Sequence, residues 1–328
     1  MILRCVFTLA LVGSFLFTAA AQAPQSSTQA MTQTIVLSSA ATSGGLAPGA
    51  DRAAVVGADK KVRLWDLADG HLLRTIELST SDRDFTAVSP AGRFILTGDH
   101  GGNVVLWNTE TGKSQIQLRL PHAPSAAAFS ADGKLLAIAP ASEPIQFFDV
   151  ASGRKLWESA AVTGGTISLA FSRDGASIAS ADTDTVVRIH DAHTGKLIAE
   201  NRDFLLEPLA IDFTADGKQV IAAGADKVIA FIDASTGKMV RKLPKMDQPV
   251  SWSSLKVSPD GTHFATVCMI AENLDKPRPV QMWNMDSGQK QSEWMPPSVI
   301  RAVGWTSEGQ LVSVGGTADS LLIWRIQY

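Results

Sequence analysis

The sequence predicts an all-β protein in which seven similar units, each of four antiparallel strands, follow one another along the chain. Three observations lead to this expectation: a repeat of about 42 residues, two turn motifs at fixed places in each repeat, and strand-like apolar runs between those turns. No copy shows the 3.6-residue apolar spacing of an amphipathic helix. A repeat of this length is typical of proteins whose units bury their apolar faces against one another.

The repeat is marked by an Asp or Asn that ends an apolar run in six units, and by Arg325 in the seventh. Successive markers are 42, 41, 42, 42, 51 and 41 residues apart, so one unit carries an insertion. Each marker and the residue before it form a pair, and the seven pairs are Trp65-Asp66, Trp107-Asn108, Phe148-Asp149, His190-Asp191, Ile232-Asp233, Trp283-Asn284 and Trp324-Arg325.

Each unit contains two turns with the chemistry of hairpins. The first turn begins with Ser or Thr and ends with Gly, as from Ser130 to Gly133, and the second runs from the marker to a Gly, as from Asn108 to Gly112. The leading polar side chain bonds the turn backbone, and the glycine accepts the positive φ that closes the turn. In the first unit the first turn is reduced to Ala47–Ala50.

Four strand-like runs lie between the turns of the second unit, at Phe85–Ser89, Arg93–Gly98, Val104–Asn108 and Ser114–Leu120. Four such strands form one blade of a β-propeller, so the chain predicts seven blades. The last unit lacks a fourth strand. The spacing between outer strands and first turns places the missing strand at about Gln33–Ser38, where it completes the last blade and closes the ring.

With these pairs and turns, the chain resembles the WD-repeat β-propellers over Thr32–Tyr328. The Gly-His pair that this family places before the first strand is absent from every copy, so the family's His–Ser/Thr–Trp–Asp hydrogen-bond network is expected to be incomplete. The resemblance also implies that the short, uniform turns share one rim of the ring. The more varied connections then form the opposite rim, which is the expected interaction face.

The N-terminal residues predict export. Arg4 precedes an apolar run to Ala21, and small residues at Ala21 and Ala23 suit cleavage, so we expect a signal peptide at 1–23, a flexible lead at 24–31 and a single propeller domain at 32–328. The protein would then be periplasmic or secreted, from a bacterial cell, with no membrane span. An uncleaved N-terminal anchor is the alternative. Cleavage leaves Cys268 as the sole cysteine, which excludes an intrachain disulfide.

Composition and motifs narrow the function. The chain has 328 residues, of which 45% are hydrophobic, and a net charge of -3 without a Lys/Arg block, which argues against a nucleic-acid surface. No nucleophile elbow, phosphate loop or cluster of metal-ligating histidines is present. The sequence therefore predicts a monomeric, non-catalytic scaffold of the bacterial cell envelope, without cofactor, that presents rim loops to protein partners.

Two alternatives remain open. One is a propeller enzyme or a cofactor- or metal-binding protein, similar to quinone-dependent dehydrogenases or lactone hydrolases, with its site at the central mouth. The other is a structural component of envelope assembly, which would co-purify stably in a complex. A weak candidate metal site for the first alternative consists of Asp99, His100, His122 and Glu143, although their spacing matches no metal motif.

Candidate contact residues lie in the loops of the varied rim, and they are Arg83, Asp84, Asp99, His100, His122, Asp182, Asp226, Lys227, Asn273, Asp275, Lys276 and Arg278. The last four belong to an insertion at Ala271–Pro279, which is expected to contact a partner or to be a tolerated insertion without a role. His190 replaces Trp or Phe and is expected to pack inside its blade. Trp305 is expected in the core, and Trp157 and Trp294 on outer strands.

Overall fold

The computed structural model describes residues 33–36, 41–47, 49, 51–78, 83–160, 164–244, 251–269, 279–295, 300–315 and 320–326. Apart from one 3₁₀ turn at Pro90–Gly92, the regular structure in these ranges is β-strand. No helix within them has the length and hydropathy needed to traverse a lipid bilayer. The predicted all-β class is confirmed.

Within the residues that the structure describes, 28 strands, β1–β28, form seven four-stranded antiparallel sheets. The strand β1 is Gln33–Val36. Blades one to three contain β2–β13, at Ala41–Leu46, Arg52–Gly57, Lys61–Asp66, Leu72–Glu77; Arg83–Val88, Phe94–Asp99, Asn103–Asn108, Ser114–Arg119; and Pro124–Phe129, Leu135–Pro140, Gln146–Asp149, Lys155–Glu158. Blades four and five contain β14–β21, at Thr166–Phe171, Ser177–Asp182, Val187–Asp191, Leu197–Asn201; and Pro208–Phe213, Gln219–Gly224, Ile229–Asp233, Met239–Lys242. Blades six and seven contain β22–β28, at Ser251–Val257, His263–Met269, Val280–Asn284, Lys290–Trp294; and Ile300–Trp305, Leu311–Gly315, Ser320–Ile326.

The ring closes as the sequence predicts. The last blade has the strand order β1-β28-β27-β26, and Gln33 pairs with Ile323 while Val36 pairs with Ser320. The innermost strands of successive blades contact one another, and β26 of the seventh blade contacts β2 of the first. The first residues of the propeller therefore supply the outer strand of its last blade, over Gln33–Val36 of the predicted stretch.

The hydrophobic core lies between blades. One cluster joins Ala179, Val187 and Ile189 of the fourth blade to Phe213 and Val220 of the fifth, and similar clusters join the other successive pairs from the first blade to the seventh. Because each blade buries both faces, its middle strands read as nearly continuous apolar runs. This explains why burial of β11 and β19 is almost complete.

The turns owe their uniformity to side-chain bonds. In the first turn of the third blade, Ser130 Oγ accepts the Leu135 N–H at 2.9 Å and donates to Asp132 Oδ1 at 2.7 Å. In the second turn of the fifth blade, hydrogen bonds from Ser235 and Thr236 lower the pKa of Asp233 to about 2. These carboxylates stay ionised at physiological pH, so the turns keep their geometry.

The last blade departs from the sequence alignment. Its first turn is one residue shorter, because Thr306 N–H bonds the oxygen of Gln310, whereas Ser258 N–H bonds that of His263, five residues on. The hairpin that follows is three residues longer, since the paired residues Leu311 and Ile326 are 15 residues apart, against 12 for Ile95 and Trp107 in the second blade. Trp324 pairs with Ser313. In the sixth blade the corresponding partner of Phe264 is Trp283. The assignment of Trp324-Arg325 to the repeat's Trp-Asp position is therefore wrong by two residues.

The family's hydrogen-bond network is present in part. Trp107 Nε1 donates to Thr97 Oγ1 at 2.9 Å, and Trp283 Nε1 donates to Thr266 Oγ1 at 3.0 Å. In the first blade Val55 occupies the position of the threonine, and the buried Nε1 of Trp65 has no acceptor.

Candidate functional site

The strand directions place two kinds of connection at opposite ends of the propeller. The first and second turns of each blade, such as Ser130–Gly133 and Asn108–Gly112, lie on one rim, here called the short-turn rim. The hairpin between the second and third strands and the connection to the next blade lie on the other, here called the variable rim. In the second blade the connections of the variable rim are residues 100–102 and 120–123.

The structure does not gather the four candidate metal ligands into one site. His122 Nδ1 lies 3.5 Å from Glu143 Oε1, so these two side chains are neighbours. His122 is in the connection that enters the third blade, and Glu143 is in that blade's hairpin between β11 and β12. Asp99 is buried in its own hairpin, where its carboxylate accepts the Asn103 N–H at 2.8 Å and the Asn103 Nδ2–H at 2.9 Å. His100 is exposed in the same hairpin. Within the described ranges no three His, Cys, Asp or Glu side chains are placed to hold a metal ion.

Asp182 is a buried anchor and not an exposed contact residue, which corrects its place among the rim candidates. Its carboxylate is fully buried and accepts hydrogen bonds from Thr166 Oγ1 at 2.7 Å, Ser180 Oγ at 3.0 Å and Arg188 Nη1 at 2.7 Å. Arg188 also binds Asp184 at 2.6 Å. Burial raises the pKa of Asp182, although the bonds from Thr166 and Arg188 act in the opposite direction. The sequence shows the hairpin, but not that three donors surround its carboxylate.

Asp226 and Lys227 lie where the sequence places them, in a hairpin of the variable rim. Asp226 Oδ1 accepts the Val228 N–H at 3.3 Å, and Lys227 N–H bonds the carbonyl oxygen of Gly224. Lys227 has a φ of 69°, which is uncommon for a residue other than glycine. Both side chains are half-buried.

Several candidates lie outside what the structure describes. They are Asn273, Asp275, Lys276 and Arg278 of the insertion, together with the side chains of Arg83 and Asp84, whose backbone begins β6. Their role as contact residues stays a prediction.

The connection between the fourth and fifth blades, on the variable rim, carries two adjacent exposed leucines, Leu205 and Leu206. Leu205 is 83% exposed and Leu206 is 48% exposed. The other large exposed apolar residues of the described chain are on outer strands or directly after one, and none of them exceeds the 61% of Met295. Leu205 and Leu206, here called the leucine pair, thus form an apolar projection on an otherwise polar loop.

The loop that carries the leucine pair is anchored at both sides. Phe204 is buried in the core between the fourth and fifth blades, beside Gly224. Asn201 Nδ2 donates to Asp203 Oδ2 and to the Gly237 oxygen, each at 2.9 Å. The Ala225 N–H bonds the Glu207 oxygen at 2.8 Å. The leucine pair is therefore held in place by neighbours on either side.

No residue of the connection at 202–208 is among the contact candidates that the sequence predicts. A signal existed, because two leucines stand between Asp203 and Glu207 in a loop with no apolar periodicity. What the sequence does not show is that Phe204 points inward while the leucines that follow point outward.

A cavity of the described chain lies at the centre of the ring and opens toward the short-turn rim. Its volume is about 580 Å³, and its wall includes the turn residues Gly49, Ala131, Arg173, Pro259 and Ser307. The sequence-based candidates for a central site are on the variable rim and do not line it. These candidate residues therefore lie at the rim opposite to the one toward which the cavity opens.

The aromatic and histidine expectations are met. His190 is 4% exposed, and burial together with the nearby charge of Arg188 lowers its pKa to about 4. Trp305 is 4% exposed, although it also lines the central cavity. Trp157 and Trp294 are half-buried on outer strands, and Trp157 stacks on Phe147 with ring planes 17° apart.

Comparison with known proteins agrees with this architecture. A family profile described as outer membrane protein assembly factor BamB matches residues 58–183 and 141–275. The WD repeat-containing protein SL1-17 of Schistosoma mansoni is 28% identical over a region that covers 29% of this chain and 46% of that protein, so the match spans about half of the relative's length. The solved β-propeller domain of Cps50 (Swd1) from Myceliophteria thermophila has a TM-score of 0.74 at 17% identity, covering 90% of this chain and 99% of that domain.

Fold, repeat and turns together define a seven-bladed β-propeller of the WD-repeat type. Within that class, the profile matches extend over more than half of the chain, and the protein belongs to the family described as outer membrane protein assembly factor BamB.

Proposed function

We propose that this protein is a non-catalytic scaffold of the bacterial cell envelope and that it binds a protein partner through the leucine pair on its variable rim. Single exposed leucines are common on protein surfaces. Here two adjacent leucines project from a loop whose own core residue, Phe204, is buried. An apolar anchor held on a rigid frame loses little conformational entropy on binding.

The surroundings of the leucine pair suit a protein interface. On one side of the leucine pair, Arg202 forms a bidentate ion pair with Glu200, with Nε 2.9 Å from Oε1 and Nη2 3.0 Å from Oε2. On the other side, Glu207 is half-buried. Apolar anchors with a polar rim are the usual anatomy of protein interfaces. The partner surface is therefore expected to offer an apolar pocket with polar groups around it.

The proposed place of action is the periplasm or the cell exterior. The apolar N-terminal run with small residues at Ala21 and Ala23 supports export, and the family's description as an outer membrane assembly factor supports a role in the envelope.

Site-specific photocrosslinking tests the proposal. A photoreactive amino acid is placed at position 205 in cells of the source organism, and a matched control is placed at His193, which is exposed in the second turn of the same blade but on the short-turn rim. We expect a discrete crosslinked protein from position 205 and none from position 193. The same product from both positions, or a product from position 193 alone, contradicts the proposal.

A further inference from the structure

Seven equivalent positions form a ring around the wall of the central cavity. Each lies two residues before the start of the first turn of its blade, and together they are Gly45, Ala87, Ala128, Ala170, Asp212, Lys256 and Gly304. Five of the seven are Gly or Ala, which leaves open space at the axis. The two neighbouring blades five and six depart from this pattern and place a carboxylate and an ammonium group on the same wall.

A second cation lies at the mouth of the same cavity. Arg173, in the first turn of the fourth blade, reaches past the fifth blade and donates to the carbonyl oxygens of Ser258 and Pro259 in the sixth, with 2.7 Å from Nη2 to the Ser258 oxygen. A guanidinium group has five N–H donors, so these two bonds leave three for another acceptor. Arg173 therefore lies across one side of the opening while it keeps donors to spare.

The charges of the cavity are unevenly balanced. Asp212 accepts the Val257 N–H at 2.9 Å and the Phe213 N–H at 3.1 Å, so its carboxylate already has two donors. Within the described chain, no carboxylate pairs with the Lys256 ammonium group. Among the residues that line the cavity, the two cations Arg173 and Lys256 thus outnumber the one carboxylate, Asp212.

The remaining wall is mainly apolar, with hydroxyl groups from Thr86, Ser172 and Ser307. Phe129, Phe171, Val257, Val303 and Trp305 contribute to it beside the Gly and Ala residues of the ring. A cavity of about 580 Å³ with an apolar wall and a few converging polar groups has the usual size and character of a small-molecule site.

We propose that the central cavity binds a carboxylate carried on a small apolar body, with Lys256 and Arg173 as donors to the carboxylate and the Gly/Ala wall in contact with the apolar part. This site is separate from the leucine pair, which lies at the opposite rim. Charge-assisted bonds to a carboxylate favour the anion over a neutral group of the same size.

Three probes of equal chain length test the chemistry: hexanoate, hexanol and hexylammonium, with binding to the full chain measured by ligand-observed NMR. We expect hexanoate to bind at least about tenfold more tightly than hexanol, because hydrogen bonds to a charged group are stronger than those to a neutral one. Hexylammonium should not bind. Equal binding of hexanoate and hexanol, or preferred binding of hexylammonium, overturns the proposal.

Three variants locate the site. Lys256→Gln should weaken hexanoate binding at least about tenfold, whereas Asp212→Asn should tighten it because one negative charge leaves the wall. Lys218→Gln, in an exposed first turn of the same rim, is the control and should leave binding unchanged. An unaltered affinity in Lys256→Gln, or an equal loss in Lys218→Gln, overturns the assignment even where hexanoate binds.

The carboxylate has two sources to consider, a chain terminus and a free organic acid, and a pair of peptide probes distinguishes them. Acetyl-Ala-Ala-Leu with a free C-terminus is compared with its C-terminal amide. Tighter binding of this peptide acid than of hexanoate, with no binding of the amide, identifies a chain terminus as the ligand. Binding of hexanoate without the peptide identifies a free organic acid, and failure of both acids to bind contradicts the site.

Discussion

Asn201, on the outer strand of the fourth blade, donates its Nδ2–H to the carbonyl oxygen of Gly237 at 2.9 Å, in the second turn of the fifth blade. The same relationship joins other neighbours: Arg74 bonds Glu110 O, Gln115 bonds Val150 O and Ala151 O, and Arg241 bonds Met285 O and Asp286 O. The turn that marks the repeat in the sequence is thus also the place where the preceding blade attaches.

The glycines that end this turn in the second and fifth blades, Gly112 and Gly237, allow its effect on local backbone strain to be distinguished from its contact with the neighbouring blade. Gly112 and Gly237 have φ values of 72° and 71°, but a Cβ at Gly112 meets nothing within 4 Å, while a Cβ at Gly237 lies 2.2 Å from the Glu200 oxygen. We expect Gly112→Ala to lower the free energy of unfolding by about 1–2 kcal/mol through backbone strain. Gly237→Ala should cost about 1–3 kcal/mol more through the clash. Urea unfolding measures both, and equal losses would show that the turn does not hold the neighbouring blade.

The Trp–Thr pairs give a second comparison. Trp283 and Trp65 occupy equivalent buried positions, but only Trp283 has an acceptor, Thr266 Oγ1. Replacing each by Phe removes a similar apolar volume. We therefore expect Trp283→Phe to destabilise the protein by about 1 kcal/mol more than Trp65→Phe, the net value of a buried hydrogen bond. A larger loss in Trp65→Phe, measured by urea unfolding, would contradict this.

His190 makes stability depend on pH. Its pKa is about 4 in the folded protein, because burial and the charge of Arg188 disfavour protonation, against 6.5 in the unfolded chain. Between these values the unfolded chain binds a proton that the folded one does not, so stability is lost as the pH falls below 6.5. The slope from this residue reaches up to about 1.4 kcal/mol per pH unit.

Replacement of His190 by Phe, the residue at this position in the third blade, should flatten that slope. Urea unfolding at pH 7 and at pH 5 measures the change, and His193→Ala in the exposed turn of the same blade controls for loss of an imidazole. An unchanged pH dependence in His190→Phe would show that other groups cause the acid sensitivity.

The closing strand allows a test by proline. Thr34 and Ile35 pair with Leu322 and Leu321 of β28, and successive N–H groups of a strand point to opposite edges. One of the variants Thr34→Pro and Ile35→Pro therefore removes a bond to β28, while the other affects the open edge. We expect one variant to lose about 3 kcal/mol and the other much less. Two harmless substitutions would mean that this strand does not hold the ring closed.

The fold could be predicted because its signals are local. A Ser or Asp that begins a turn and a Gly that ends it act within five residues, and their recurrence specifies seven blades. The closing strand followed from counting, since the spacing placed it at Gln33 and the pairing with Ile323 agrees. The register of Trp324 does not follow from the repeat, because the turn at Thr306 is one residue shorter and the next hairpin three residues longer than in the second blade, which moves the Trp-Asp position two residues toward the C-terminus.

The candidate site was harder to predict because burial depends on distant partners. Asp99 and Asp182 read as rim carboxylates, but Asn103 and the set of Thr166, Ser180 and Arg188 bury them in hairpins. The leucine pair projects outward because Phe204, the residue before it, is buried in the core, and the sequence does not show which of these three apolar residues is buried. No motif marks the charges of the central cavity, since Asp212 and Lys256 differ from their surroundings only in standing where the other blades have Gly or Ala.

The claim that the variable rim binds a partner through the leucine pair is tested most directly with two matched double variants. Leu205→Ser/Leu206→Ser removes the pair, and Leu72→Ser/Leu73→Ser removes two adjacent leucines, each 45% exposed, from the outer strand of the first blade. Both variants should fold, and the measurement is the affinity for the partner that crosslinks at position 205. We expect the first variant to lose at least about tenfold in affinity, the effect of removing an interface hot spot, and the second to bind as the unaltered protein does. Full binding by the first variant, or an equal loss by the second, would contradict the account.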